Sequence, residues 1–155
     1  MISQSPKTKI EAGKILAISI SDKKGVRKNN VDSAILKEDS GIIGDAHAGT
    51  KNRQVSLLAQ ESIEKMKAKG LKVKAGDFAE NITTEGLNLL GLKIGDKLKI
   101  NDKVILELSQ IGKECHTRCS IYYQAGDCVM PREGIFVKVI KGGQIKAGDS
   151  IYSLW

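Results

Sequence analysis

At 155 residues the chain is sized for one domain and is long enough to bury a core without disulfide or metal staples. Its net charge of +7 comes mainly from 21 lysines scattered along the whole length, and only 4% of the residues are aromatic. Basic surfaces gain affinity for phosphate by releasing counterions, but platforms for base stacking are too scarce here to point to nucleic acid, so the positive field suits a phosphorylated cofactor or an acidic partner.

Residues 1–11 are polar, aperiodic and interrupted by Pro6, and read as a flexible N-terminal tail ahead of a single domain over 12–155. MISQSPKTKIEAGK lacks the apolar run of a signal peptide, and no later stretch approaches membrane-spanning length, so a soluble cytoplasmic protein is expected. From Gly13, GKILAISIS alternates Ile15, Ala17 and Ser19 against Leu16, Ile18 and Ile20, which predicts a strand buried on both faces. SDKKGVRKNN is a loop, and VDSAILKED a short strand or extended segment.

Gly41 to Thr50 carries three glycines among small residues, a composition that lets backbone N–H groups approach a ligand. His47 sits in this stretch, as either a loop histidine bonded to backbone or a ligand and proton-transfer group. Arg53 ends the loop, where a guanidinium can grip a phosphate through two parallel hydrogen bonds or form a surface ion pair. Gln54 to Leu58 reads as a strand. Ala59, Ile63 and Met66 then recur at helical spacing, with charges opposite and Gly70 as the stop.

Beyond Leu71 the period returns to two. A short strand is predicted over Asn81 to Thr84, where Glu80-Asn81 either presents polar groups to a ligand or completes a turn. Lys97 to Ile100 and Val104 to Leu108 flank Asn101-Asp102-Lys103 as a hairpin. Helical turns are expected within 116–124, GIFVKVIKGG is a strand, and GDSIYSLW closes the chain with another. Gly-Asp occurs five times, at 44–45, 76–77, 95–96, 126–127 and 148–149. There Gly supplies the turn and Asp bonds nearby backbone N–H groups. Many short strands broken by such turns, with one clear short helix, indicate a mainly β domain, a barrel or sandwich with helical turns at its rim.

Reactive side chains crowd into Gln110 to Gly143, which holds all three cysteines (Cys115, Cys119, Cys128), His116, Arg118, Pro131 and Arg132. A thiolate is both nucleophile and soft metal ligand, and neighbouring cations favour it, so Cys115, flanked by Lys113, His116 and Arg118, is the first candidate for chemistry. The spacing of the three cysteines matches no common zinc pattern. No phosphate-binding P-loop, nucleophile elbow, HExxH or dinucleotide GxGxxG motif occurs.

Taken in order, GIIGDAHAG, RQVSLLAQE, GDFAENITTEGL with LKIGDKLKI, the cysteine of QIGKEC, and REGIFVKVIKGGQIKAGD resemble the MOSC domain, which forms the C-terminus of molybdenum-cofactor sulfurases and also stands alone in bacteria. The resemblance implies a β-barrel-like fold and handling of sulfur or of the molybdenum cofactor, a molybdopterin. Relatives' cysteine falls on Cys115, as a persulfide carrier or a molybdenum ligand. Arg53, Lys113, Arg118 and Arg132 are the implied contacts to phosphate and pterin, and His47 and Asn81 are further polar contacts. Glu114 stands where relatives often have Pro, and its carboxylate disfavours a neighbouring thiolate. Cys119 and Cys128 are additions that many relatives lack.

No pyridoxal-phosphate desulfurase domain is present, so a separate cysteine desulfurase would donate sulfur and a molybdoenzyme or cofactor-biosynthesis protein would accept it. Two alternatives stay open. One is a molybdenum-dependent reductase of N-hydroxylated bases, and the other a non-catalytic partner in cofactor biosynthesis.

Overall fold

The computed structural model describes residues 10–23, 26–112 and 133–154. The strands in chain order are β1 (Ile10–Ile20), β2 (Asn29–Val31), β3 (Ser33–Lys37), β4 (Gly41–Ile42) and β5 (Val55–Ala59). Helix α1 (Gln60–Lys67) follows, then β6 (Ile82–Glu85), β7 (Lys97–Ile100), β8 (Val104–Ile111), β9 (Ile135–Lys141), β10 (Gly143–Lys146) and β11 (Ser150–Leu154). Seven of them form a barrel in the order β11-β7-β8-β9-β5-β6-β1, closed by the pairing of β1 with β11 from Ile10↔Leu154 to Lys14↔Ser150. Closure leaves the barrel without free edges. Strand β2 pairs with the far end of β1, and β10-β3-β4 form a separate small sheet. Strand β1 begins at Ile10, earlier than the Gly13 expected, because its first residues are recruited by β11 rather than by an apolar pattern of their own.

The barrel is filled from alternate positions of its strands. Ile135, Val137 and Val139 of β9 point inward with Leu106 and Leu108 of β8, Leu57 of β5 and Leu98 and Ile100 of β7, all essentially inaccessible. The neighbours on the other face, Leu58 and Phe136, pack outward against Ile63, Met66, Val73 and Phe78, forming a second apolar layer under α1. Each such buried side chain contributes roughly 1.5–3 kcal/mol relative to exposure.

The one parallel pairing among the described strands, β5 with β6, is spanned by α1, the kind of crossover that a parallel pair requires. Ile63 and Met66 bury the apolar face of α1, Glu61 sits in its first turn, and Lys65 and Lys67 sit in its last, matching the helix dipole. The chain turns out of the helix at Gly70, with φ +92°.

The alternation expected for β1 is broken. A bulge between Ile15 and Ala17 shifts the register against β6, so Ile15 and Ile18 both reach the interior while Leu16 is exposed. Glycine and aspartate form the same turn three times. At Lys74–Asp77, Lys93–Asp96 and Lys146–Asp149 the glycine has φ +94°, +94° and +95°. The aspartate carboxylate accepts the lysine backbone N–H at 3.0, 2.8 and 2.7 Å. The fourth described copy, Gly44-Asp45, sends its carboxylate elsewhere.

Candidate functional site

Strands β8 and β9 end together at one side of the barrel. Ile111 pairs with Ile135, and the Gly112 N–H donates to the Gly134 carbonyl at 2.7 Å. From this point the chain enters the cysteine-bearing stretch. Cys115, Lys113, Arg118 and Arg132, together with His116, Cys119, Cys128 and the helical turns expected within 116–124, lie outside the described residues.

Arg53, by contrast, is positioned at this end. Its Nε donates to Gln110 Oε1 at 3.3 Å, and its guanidinium lies 5.5 Å from the centre of the Phe136 ring. Gln110 in turn donates to the Gly112 carbonyl at 2.9 Å, and the Ser109 hydroxyl bridges the carbonyls of Asn52 and Phe136. An arginine held by one nitrogen and by the face of a ring keeps its two terminal nitrogens in a fixed plane. That fork suits the oxygens of a phosphate or carboxylate. Gln110 carried no motif, and the side-chain direction that makes it Arg53's partner is set by the register shift between Leu108 and Gln110.

His47 is not beside Arg53 in any contact of the described structure. It belongs to a buried charged group in which Lys28 Nζ donates to Asp45 Oδ1 at 2.8 Å, His47 Nδ1 lies 3.4 Å from Lys28 Nζ, and Asp45 Oδ2 accepts the His47 backbone N–H at 3.0 Å. Lys28, Asp45 and His47 are 2%, 6% and 7% exposed. Burial by itself pushes the Asp45 carboxyl up. Hydrogen bonds from His47, Lys28 and the Ser21 backbone outweigh it and hold the carboxyl well below the ordinary range.

Most backbone donors of the glycine-rich loop are used within the protein. The N–H groups of Asp45, Ala46, Ala48, Gly49 and Thr50 donate to carbonyls of Ile42, Ser21, Asp45, Ser40 and His47. Gly41 serves close packing, since a Cβ there would sit 2.6 Å from the Gln54 carbonyl oxygen, whereas Gly44 and Gly49 face open space and supply turns at φ +91° and +87°.

Asn81, expected as a polar contact, is inaccessible and holds strands together. Its Oδ1 accepts the Ser56 N–H and hydroxyl at 3.0 and 3.1 Å, and its Nδ2 donates to the Ser19 carbonyl at 3.1 Å. Glu80 completes a turn, accepting the Gly76 and Phe78 N–H groups and the Thr83 hydroxyl at 2.8, 3.2 and 2.8 Å. Burial of Glu80 outweighs these donors and raises its carboxyl above the ordinary range.

A cavity of about 320 Å³ lies between α1 and residues 86–90, walled by Glu133 where the described chain resumes. Glu133 accepts the Ser62 hydroxyl at 2.5 Å and the Lys65 ammonium at 2.8 Å. With Glu61 and Glu133 against a single lysine, this cavity is not basic. No cluster of three or more His, Cys, Asp or Glu side chains able to hold a metal occurs among the described residues. No helix among them is long and apolar enough to cross a membrane.

The MOSC domain profile matches residues 44–152. The fold is similar to that of the YuaD protein from Bacillus subtilis, with a TM-score of 0.80 and 18% identity over 95% of this chain and 98% of that one. It is also similar to YiiM from Geobacillus stearothermophilus (TM-score 0.69, 17% identity, 92% of this chain and 75% of that one). YiiM from Escherichia coli gives 0.64 and 18% over 92% and 70%. No curated protein matches the chain significantly.

Proposed function

Because the chain belongs to the MOSC domain family, related to the C-terminal domain of molybdenum-cofactor sulfurases, we propose that it carries sulfur for the molybdenum cofactor on Cys115, beside an anion contact made by Arg53. The observation that supports this most is the anchoring of Arg53 by Gln110 and Phe136 at the barrel end where β8 leads toward the cysteine. Cys115 follows Gly112 by three residues, a length of chain that spans at most about 11 Å.

The donor fit is partial and specific. Arg53 suits the phosphate of a pterin cofactor, Lys113, Arg118 and Arg132 are the further cations proposed from the sequence, and Cys115 is the soft ligand type that molybdenum takes. The pterin cofactor, when bound, supplies the metal that receives the sulfur. The chain supplies a nucleophile and a charge to orient the anion.

In the loading step, the Cys115 thiolate attacks the terminal sulfur of a desulfurase persulfide. A new S–S bond forms on Cys115, the donor's S–S bond breaks, and the donor cysteine leaves as thiolate, with no net oxidation. Delivery is a second displacement, in which a thiolate of the acceptor protein attacks the terminal sulfur, a new S–S bond forms on the acceptor, the Cys115 S–S bond breaks and Cys115 leaves as thiolate, again with no net oxidation. Cationic neighbours lower the cost of both thiolate states.

Purification from a molybdenum-replete host, with metal and pterin assays, tests this reading against its rival. The carrier arrives without stoichiometric cofactor and gains one sulfur atom from a desulfurase and cysteine. Stoichiometric molybdenum and pterin, with no sulfur uptake, would instead mark the oxidoreductase.

A further inference from the structure

A second concavity, about 550 Å³ in volume, opens between the segment leaving α1 and the loop joining β1 to β2. Four cations line it, Arg27, Lys67, Lys72 and Lys74, against one carboxylate, Asp77. None of the cations singled out in the sequence is among them. The single carboxylate is turned inward and used. Asp77 accepts the Lys74 N–H at 3.0 Å and the Arg27 guanidinium at 3.4 Å, and its side chain is 8% exposed where that of Arg27 is 52% exposed.

The cations stand outside and are loosely held. Lys67 lies 3.4 Å from the exposed Glu64, Lys74 reaches Asn30 Oδ1 at 3.2 Å, and Lys72 has no partner among the described residues. Between them the floor is apolar, formed by Leu71 and Val73 at the border of the outer hydrophobic layer.

We infer that this groove docks an acidic segment of a partner protein, its carboxylates along the cationic rim and an apolar side chain on Leu71. Charge complementarity and the apolar floor together select that occupant. A compact phosphate is held best where donors converge on one point, whereas here the cations are spread along a rim and the backbone N–H groups of Leu71, Lys74 and Asp77 are already engaged by Met66, Asp77 and Lys74. A single-stranded nucleic acid needs stacking surfaces, and no aromatic side chain lines the groove. The inference does not depend on what Cys115 does.

The test uses the full chain and a short fluorescent peptide of glutamates with interspersed leucines, followed by anisotropy at several salt concentrations. The peptide should bind, more weakly as salt rises. Reversing K67E/K72E should weaken it about tenfold or more, and K67A/K72A by less, while K37E/K103E, an equal change in net charge outside the groove, should cost about twofold at most. All four positions are exposed, and thermal melting checks that each variant stays folded. A peptide of glutamate alone should bind more weakly. Equal losses in the two reversed pairs, tighter binding of a single-stranded oligonucleotide than of the peptide, or no peptide binding would each overturn the assignment.

Discussion

Asp45 and Glu80 are both buried carboxyls, and their surroundings drive them in opposite directions. Asp45 has Lys28 at 2.8 Å and sits below its ordinary value of 3.8. Its contribution to stability is therefore present above about pH 4 and is lost as pH falls toward the folded-state value. Lys28→Ala, which strands the carboxylate in the interior, should destabilise the protein by about 3–5 kcal/mol, and adding Asp45→Asn should recover part of that loss in denaturant titrations. The single Asp45→Asn variant should show a flatter acid limb than wild type. Glu80 has no cation among its hydrogen-bond partners and sits above its ordinary 4.5. Its favourable contribution is present below that value and is lost as pH rises through the folded-state value. Glu80→Gln should accordingly gain stability relative to wild type as pH is raised from 4 to 8, read as the difference between the two denaturation curves. Neither pairing was legible in the sequence. Lys28 reads as one more loop cation in VRKNN, and only the fold reveals that the turn at Gly44-Asp45 brings a carboxylate onto it.

At the scale of elements, the local chemistry was readable where it was self-sufficient. The hairpin of β7 and β8 falls where alternation and Asn101-Asp102 placed it, with both residues at positive φ, and α1 buries Ile63 and Met66 as their spacing named, while Ala59, read as the first of that series, ends β5 instead. The repeated Gly-Asp turns likewise carry their partner within three residues. What escaped were β2 and β4, two or three residues each and too short to show a period, β10, whose pairing with β3 is supplied from far along the chain, and the bulge in β1, which trades strict alternation for curvature. The pairing of β10 with β3 depends on a close approach, since a Cβ on Gly142 would lie 2.2 Å from the Leu36 carbonyl oxygen. Gly142→Ala must push the two strands apart. Gly95→Ala meets open space and bears only the strain of its positive φ, about 1–2 kcal/mol. Thermal unfolding should show the first variant losing clearly more than the second.

For the whole molecule, closure is the organising fact. Strand β11 pairs with β7 on one side and β1 on the other, so deleting residues 150–155 opens the barrel and exposes Ile15, Leu98 and Ile100. Such a chain should lose cooperative unfolding, and near-ultraviolet circular dichroism with heat scans would show it. The closed barrel also positions the expected contact residues. It brings Arg53, Gln110 and Phe136 from three strand ends to the place where the cysteine-bearing stretch begins, and it buries Asn81 and His47 within hydrogen-bonded groups. The sequence named Arg53 by its charge and location in a loop, but could not separate it from His47 and Asn81, because burial depends on the assembled strands. The central claim is that one thiol accepts sulfur. Mass spectrometry of wild type and Cys115→Ser after incubation with a cysteine desulfurase and cysteine tests it most directly. Wild type should gain a single reducible sulfur atom that maps to Cys115, and the serine variant should gain none. Equal loading of both proteins, or loading that maps to Cys119 or Cys128, would contradict it.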